Sequence, residues 1–183
     1  MDIYLLVKFL HIASAIVWIG AGVGMVVLGA AAYRQSDREE FVRVVRNVAF
    51  LAPRVFVPIS LATLVFGLIA AFMQWGFTEL WVWIGLFGFA ATFVTGNFLL
   101  GPRAGRVKAI IAREGVSDDA VAVGHELLQL SKFDYAMLFV VVADMVFKPV
   151  ASDWPVLLLM ALALAAAGVV FLAPVLRPRP AAA

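Results

Sequence analysis

Four ionisable side chains stand inside apolar stretches of this sequence: Lys8 and His11 near the start, Asp144 and Lys148 near residue 150. A charged group at the centre of a membrane helix costs about 2.5–3.5 kcal/mol on insertion scales, so each asks for a function. Lys8 and His11 are three residues apart and share one helical face; Asp144 and Lys148 are four apart and share another. A neutral imidazole is a good ligand for haem iron or copper. A desolvated lysine can lose its proton and offer an amine as a second axial ligand. Met145, three residues before Lys148, offers a soft thioether that suits Cu(I), as does Met73. Spacing alone favours a purely structural arrangement of these residues. Asp144 would then pair with Lys148, Lys8 would reach the interface, and His11 would bond a neighbour.

The elements that must position these groups are membrane helices. Apolar residues make up 64% of the 183 residues and charged residues 14%, against about 45–50% and roughly 25% in soluble domains. A chain this short cannot hide such an excess from water. Five stretches are long enough to span a hydrocarbon layer of about 20 helical residues: Ile3–Tyr33, Val55–Trp75, Leu80–Leu100, Phe133–Pro149 and Trp154–Leu176. The fold class expected is therefore an all-α polytopic helix bundle, a single integral-membrane domain over 1–176 with a short cytoplasmic tail, 177–183. The first stretch is too long and its N-terminal flank too poor in basic residues for a signal peptide, so it reads as a retained span.

Basic residues set the orientation. Arg34, Arg38, Arg43, Arg46 and Arg54 follow the first span; Arg103, Arg106, Lys108, Arg113 and Lys132 follow the third; Arg177 and Arg179 lie in the tail. This bias places the long linkers and the C-terminus in the cytoplasm and the N-terminus outside, as in a bacterial inner membrane. It also accounts for the basic balance without nucleic acid. Both linkers should be amphipathic surface helices. Ser36 and Glu39 have capping-box spacing, and Phe41, Val44, Val45 and Val48 then repeat with a helical period up to Pro53. Gly115 should end one helix of the third linker, and Ser117 should start another reaching about Ser131.

The topology gives the polar residues a common depth. At about 1.5 Å per residue, His11 lies roughly 12 Å below the outer end of its span and Asp144 roughly 8 Å below the end of its own. The two helices run in opposite directions, so all four groups converge on the outer half of the bilayer. His125, the chain's other histidine, falls in the cytoplasmic linker and cannot share a metal with His11. It reads as a surface residue, and Asn97, Asp134 and Tyr135 read as anchoring groups near the inner boundary. Gly20 and Gly24 have GxxxG spacing and could join two helices within the chain or between copies. No cysteine is present, which excludes disulfides, iron–sulfur clusters and thiol catalysis. Phosphate-binding loops, HExxH and the serine elbow are missing too.

Lys8-Phe9-Leu10-His11-Ile12, followed by Trp18-Ile19-Gly20, resembles the opening of HemJ-type protoporphyrinogen oxidases, and Asp144-Met145-Val146-Phe147-Lys148-Pro149 resembles their span closing on a Lys-Pro pair. The resemblance implies haem b held by His11 and Lys148; in a site built on those two, Asp144 would tune or orient the lysine and Lys8 would meet a propionate. It also implies an oxidoreductase exchanging electrons with quinone or a porphyrin-like substrate. The whole-chain layout is closer to the bacterial integral-membrane proteins of domain-of-unknown-function family 2269. These in turn resemble the membrane part of CopD-type copper-resistance proteins, so copper is the alternative cofactor. A non-catalytic membrane subunit is the third reading.

Overall fold

The computed structural model describes residues 2–176, and every element in it is helical. The expected tail with Arg177 and Arg179 lies outside the described residues. Helix α1 (Ile3–Arg34) opens on Asp2, whose carboxylate accepts the Tyr4 N–H at 2.9 Å. After a turn come α2 (Arg38–Leu51) and α3 (Val57–Gln74), then α4 (Leu80–Val94), α5 (Gly101–Glu114), α6 (Asp118–Phe147) and α7 (Trp154–Ala167). Four continuous helical stretches are long and apolar enough to cross a membrane: Ile3–Arg34, Arg38–Gln74, Leu80–Glu114 and Trp154–Leu176. The segment expected as the fourth span is the second half of α6, where Lys132, Asp134 and Asp144 put too much charge into the helix for it to join that set.

Within those stretches only 11–22% of the most apolar residues are buried inside the protein. Phe72, Phe87, Leu159 and Val169 all point outward. An apolar surface of that extent requires lipid as its solvent.

Three wide turns of π-helix join the segments, at Ala52–Phe56, Thr95–Leu100 and Gly168–Leu172. Each ends two residues before a proline. The N–H of Val57, Gly101 and Ala173 reaches back five residues, to Ala52, Gly96 and Gly168, and Pro58, Pro102 and Pro174 follow. A proline ring crowds the carbonyl four residues back and donates no bond, so the chain widens by one residue instead of breaking. This corrects the expected end of the first linker helix: the chain passes Pro53 and runs on into α3 as one helix.

The first linker helix also starts one residue later than expected. Ser36 sits at φ 58°, and Asp37 is the cap, accepting the Glu40 N–H at 3.0 Å. Gly115 at φ 70° closes α5, and Ser117 caps α6 as anticipated. The α2 side chains Phe41, Val42 and Val45 are buried in one cluster with Val107 of α5 and Val123 and Leu127 of α6, Val44 is buried facing Gly29 of α1, and Arg38, Arg43 and Arg46 stay exposed. This cluster is the best-packed core of the protein and ties together the end of the bundle that carries both linkers. Arg103 and Glu126 add a half-buried ion pair at 3.3 Å between α5 and α6.

Candidate functional site

The register between α1 and α6 follows from two glycines. Gly22 faces Tyr135 and Gly29 faces Leu128, seven residues on along α1 and seven back along α6. Continued toward the N-terminus, that antiparallel register sets His11 level with Val146 and Lys8 level with Pro149. The four polar residues therefore do share one end of the bundle, opposite the linker core.

They do not all face one another. His11 turns toward α3, where its Nδ1 lies 2.8 Å from the Thr63 carbonyl. A carbonyl only accepts, so Nδ1 carries the proton, and in the neutral ring Nε2 keeps its lone pair. Gly67 makes room for this imidazole: a Cβ there would stand 2.8 Å from Cε1 and 2.9 Å from Nδ1. Ser14, one turn on, folds its hydroxyl onto the Leu10 and His11 carbonyls.

Lys148 ends α6 in the left-handed region, φ 48° and ψ 55°, and its N–H bonds the Asp144 carbonyl at 2.8 Å. Its ammonium lies 3.7 Å from the centroid of Trp75 and 5.0 Å from that of Trp81, two rings that themselves meet edge to face. A cation over indole faces gains about 0.5–2 kcal/mol depending on its desolvation. The side chain is thus held by aromatic rings and not by Asp144. That carboxyl is fully buried beside Gly85 of α4, and neither oxygen has a hydrogen-bond partner. Met145 also packs its methyl into the Gly85 notch, facing α4, while His11 faces α3. Met73 is exposed, as is Lys8, whose ammonium is 5.9 Å from the Tyr4 ring.

Sequence reading missed Thr63, Gly67, Gly85 and the indole pair as partners of these residues. A backbone carbonyl and two glycines carry no signal of their own. Trp75 and Trp81 stand at the edges of two expected spans, Val55–Trp75 and Leu80–Leu100, and their nearness to Lys148 depends on the turn between α3 and α4.

At the linker end, His125 is more than a surface residue. Its ring stacks on Tyr33 at 4.4 Å, and the Gln129 amide nitrogen lies 3.0 Å from its Nε2. The Gln129 amide and the ring are thus within hydrogen-bond distance of each other. Burial, helped by the charge of Lys132 and opposed by Glu126, lowers its pKa from the ordinary 6.5. The folded state then binds fewer protons than the unfolded one below that pH. The stability carried by neutral His125 is complete above pH 6.5 and is lost as the pH falls from there through the folded pKa. The thermal midpoint of wild type should therefore fall more between pH 7 and pH 5 than that of His125→Gln. Parallel pH dependences for the two proteins would refute this.

Among the described residues no three His, Asp or Glu side chains converge as a metal site. Residues 5–149 match the family model described as predicted integral membrane protein (DUF2269). The chain belongs to that family. Neither a curated protein nor a solved structure matches it. For this DUF2269 protein the likeness to HemJ-type proteins therefore rests on the residue motifs alone, and that to CopD-type proteins on the whole-chain layout. The family match runs from α1 to the end of the Lys148-Pro149 segment and so takes in all four polar residues, but not α7.

Proposed function

We propose that this DUF2269 protein is a five-span protein of the bacterial inner membrane, with its N-terminus outside, that binds haem b through His11 in a redox role. The fifth crossing is the second half of α6. Asp134 and Asp144 are 5% and 0% exposed, whereas Phe139, Val142, Val146 and Phe147 face outward, so two of the three charges that lower its hydropathy are hidden from lipid, and the third, Lys132, is half-buried at the end nearest the linkers. Positive-inside bias then puts the basic linker helices along the cytoplasmic surface and His11 in the outer leaflet.

The observation that carries the haem reading is the bond from His11 Nδ1 to the Thr63 carbonyl. Metal-ligating histidines almost always donate their second nitrogen to such an acceptor, which fixes the tautomer and leaves the other nitrogen for the metal. His11 thus fits one axial position. Lys148 is the candidate for the other: it lies at the same level, and its indole contacts are a small restraint beside an iron–amine bond. Lys8 suits a propionate, and Asp144 holds its place one turn before Lys148. Bound haem would supply one-electron transfer, with quinone or a porphyrin-like substrate as the exchange partner. Copper held by His11 and Met145 is less well served, because these two face different neighbours. Gly20 and Gly24 meet nothing within 4 Å inside the chain, which leaves that face of α1 for lipid or a second copy.

The test is optical. Protein expressed with ample haem and purified in detergent should show a Soret band that sharpens and shifts on dithionite reduction. His11→Ala should abolish it, and Lys148→Met should shift it without abolishing it. A colourless, metal-free wild type would leave His11 as a residue that merely pins α1 to α3.

A further inference from the structure

A second site lies toward the opposite end of the bundle, where α1, α2, α3, α4, α5 and α6 all contribute to its wall. There the helices line a partly open cavity of about 330 Å³, within the range of about 300–1,000 Å³ typical of small-molecule pockets. Its walls are largely apolar and rich in rings, including Trp18, Phe56, Phe89, Phe93 and Tyr135. Trp18 and Phe89 meet edge to face at 5.8 Å, which fixes one wall. Two polar groups on facing helices line the space without partners. Asp134 of α6 is 5% exposed and its Oδ1 accepts nothing; Thr92 of α4 is also 5% exposed and its Oγ1 is unbonded.

Buried polar atoms are nearly always hydrogen-bonded, and an orphan carboxyl oxygen is among the costliest to leave. Two residues carrying such atoms, Asp134 and Thr92, line one cavity and mark a place where something else makes the bonds. Two of the three π-helical turns also contribute to the wall, through Ala52 and Pro53 of one and Gly96 and Asn97 of the other. Such turns concentrate at functional sites because they break the regular ladder beside a ligand.

The chemistry of the wall selects the ligand. No lysine, arginine or histidine lines the cavity, so nothing there would balance a phosphate or carboxylate. A protonated nitrogen would give Asp134 both a hydrogen bond and a counter-charge, and ring faces attract the same cation. An apolar body would fill the rest. We propose that this cavity is a binding site for a lipophilic monovalent cation, a protonated amine on an aromatic or aliphatic frame. The site is separate from the His11 end and does not depend on haem.

The test uses the full chain in nanodiscs, with dibenzylamine as probe and dibenzyl ether as its uncharged isostere. Saturating amine at pH 7 should raise the thermal midpoint, and the ether should leave it unchanged. Asp134→Asn should need at least tenfold more amine for half the shift, while Asp134→Glu should keep most of the response. An equal shift from ether and amine, an unchanged response in Asp134→Asn, or no saturable shift in wild type would each overturn the proposal. If Asp134→Asn does not fold, the amine–ether comparison on wild type decides alone.

Discussion

Alanine at Gly22 should destabilise the protein by about 1–3 kcal/mol, the usual range for overpacking a filled core. A Cβ at this position would fall inside the phenol of Tyr135, whose Oη, Cζ and Cε1 are the atoms nearest to it. A tyrosine ring cannot bend away from such a clash; it must rotate out of its seat or push α6 from α1. Gly85 gives the matched control. There the intruding Cβ would meet the methyl of Met145, the far end of an unbranched and flexible chain. Gly85→Ala should therefore cost distinctly less, although both glycines seat an α6 side chain. Gly20→Ala, with nothing inside the chain to meet, should be close to neutral. Denaturant or thermal midpoints in one detergent order the three. If Gly22→Ala matched Gly20→Ala, the α1–α6 register that brings His11 level with Val146 would be wrong.

That ordering marks where the sequence stops being informative. Hydropathy and basic residues revealed the long helices, and helical spacing revealed the polar residues that belong together. The GxxxG spacing pointed at Gly20 and Gly24, yet the glycines that receive other helices include Gly22, Gly67 and Gly85. A glycine is selected for what it allows to come close, and the visitor is remote in sequence: Tyr135, His11 and Met145. Capping residues were legible to within one position, because the choice between Ser36 and Asp37 depends on which of two good caps the preceding turn leaves in an extended conformation. Asp134 was read as an anchor at the inner boundary. Its burial against a cavity depends on how far α4 and α6 stand apart, and no local pattern encodes that distance.

Asp144→Leu should stabilise the protein by about 1–3 kcal/mol, the cost of leaving a buried polar group without its hydrogen bond. The carboxyl is wholly buried, both oxygens are unpartnered, and Lys148 is committed to Trp75 and Trp81. Leucine keeps the branching at Cγ and removes the polar atoms, whereas Asp144→Asn keeps the shape and leaves an unpaired amide. The asparagine variant should thus stay close to wild type while the leucine variant rises above it. A membrane protein that retains such a group at the expense of stability retains it for function. The stabilised Asp144→Leu protein should accordingly lose whatever the His11 end does, read as a displaced or weakened Soret band under the haem reading. A fall in stability with leucine would show that the carboxyl is bonded to a group inside the bundle, and its role would then be to hold α6 against α4.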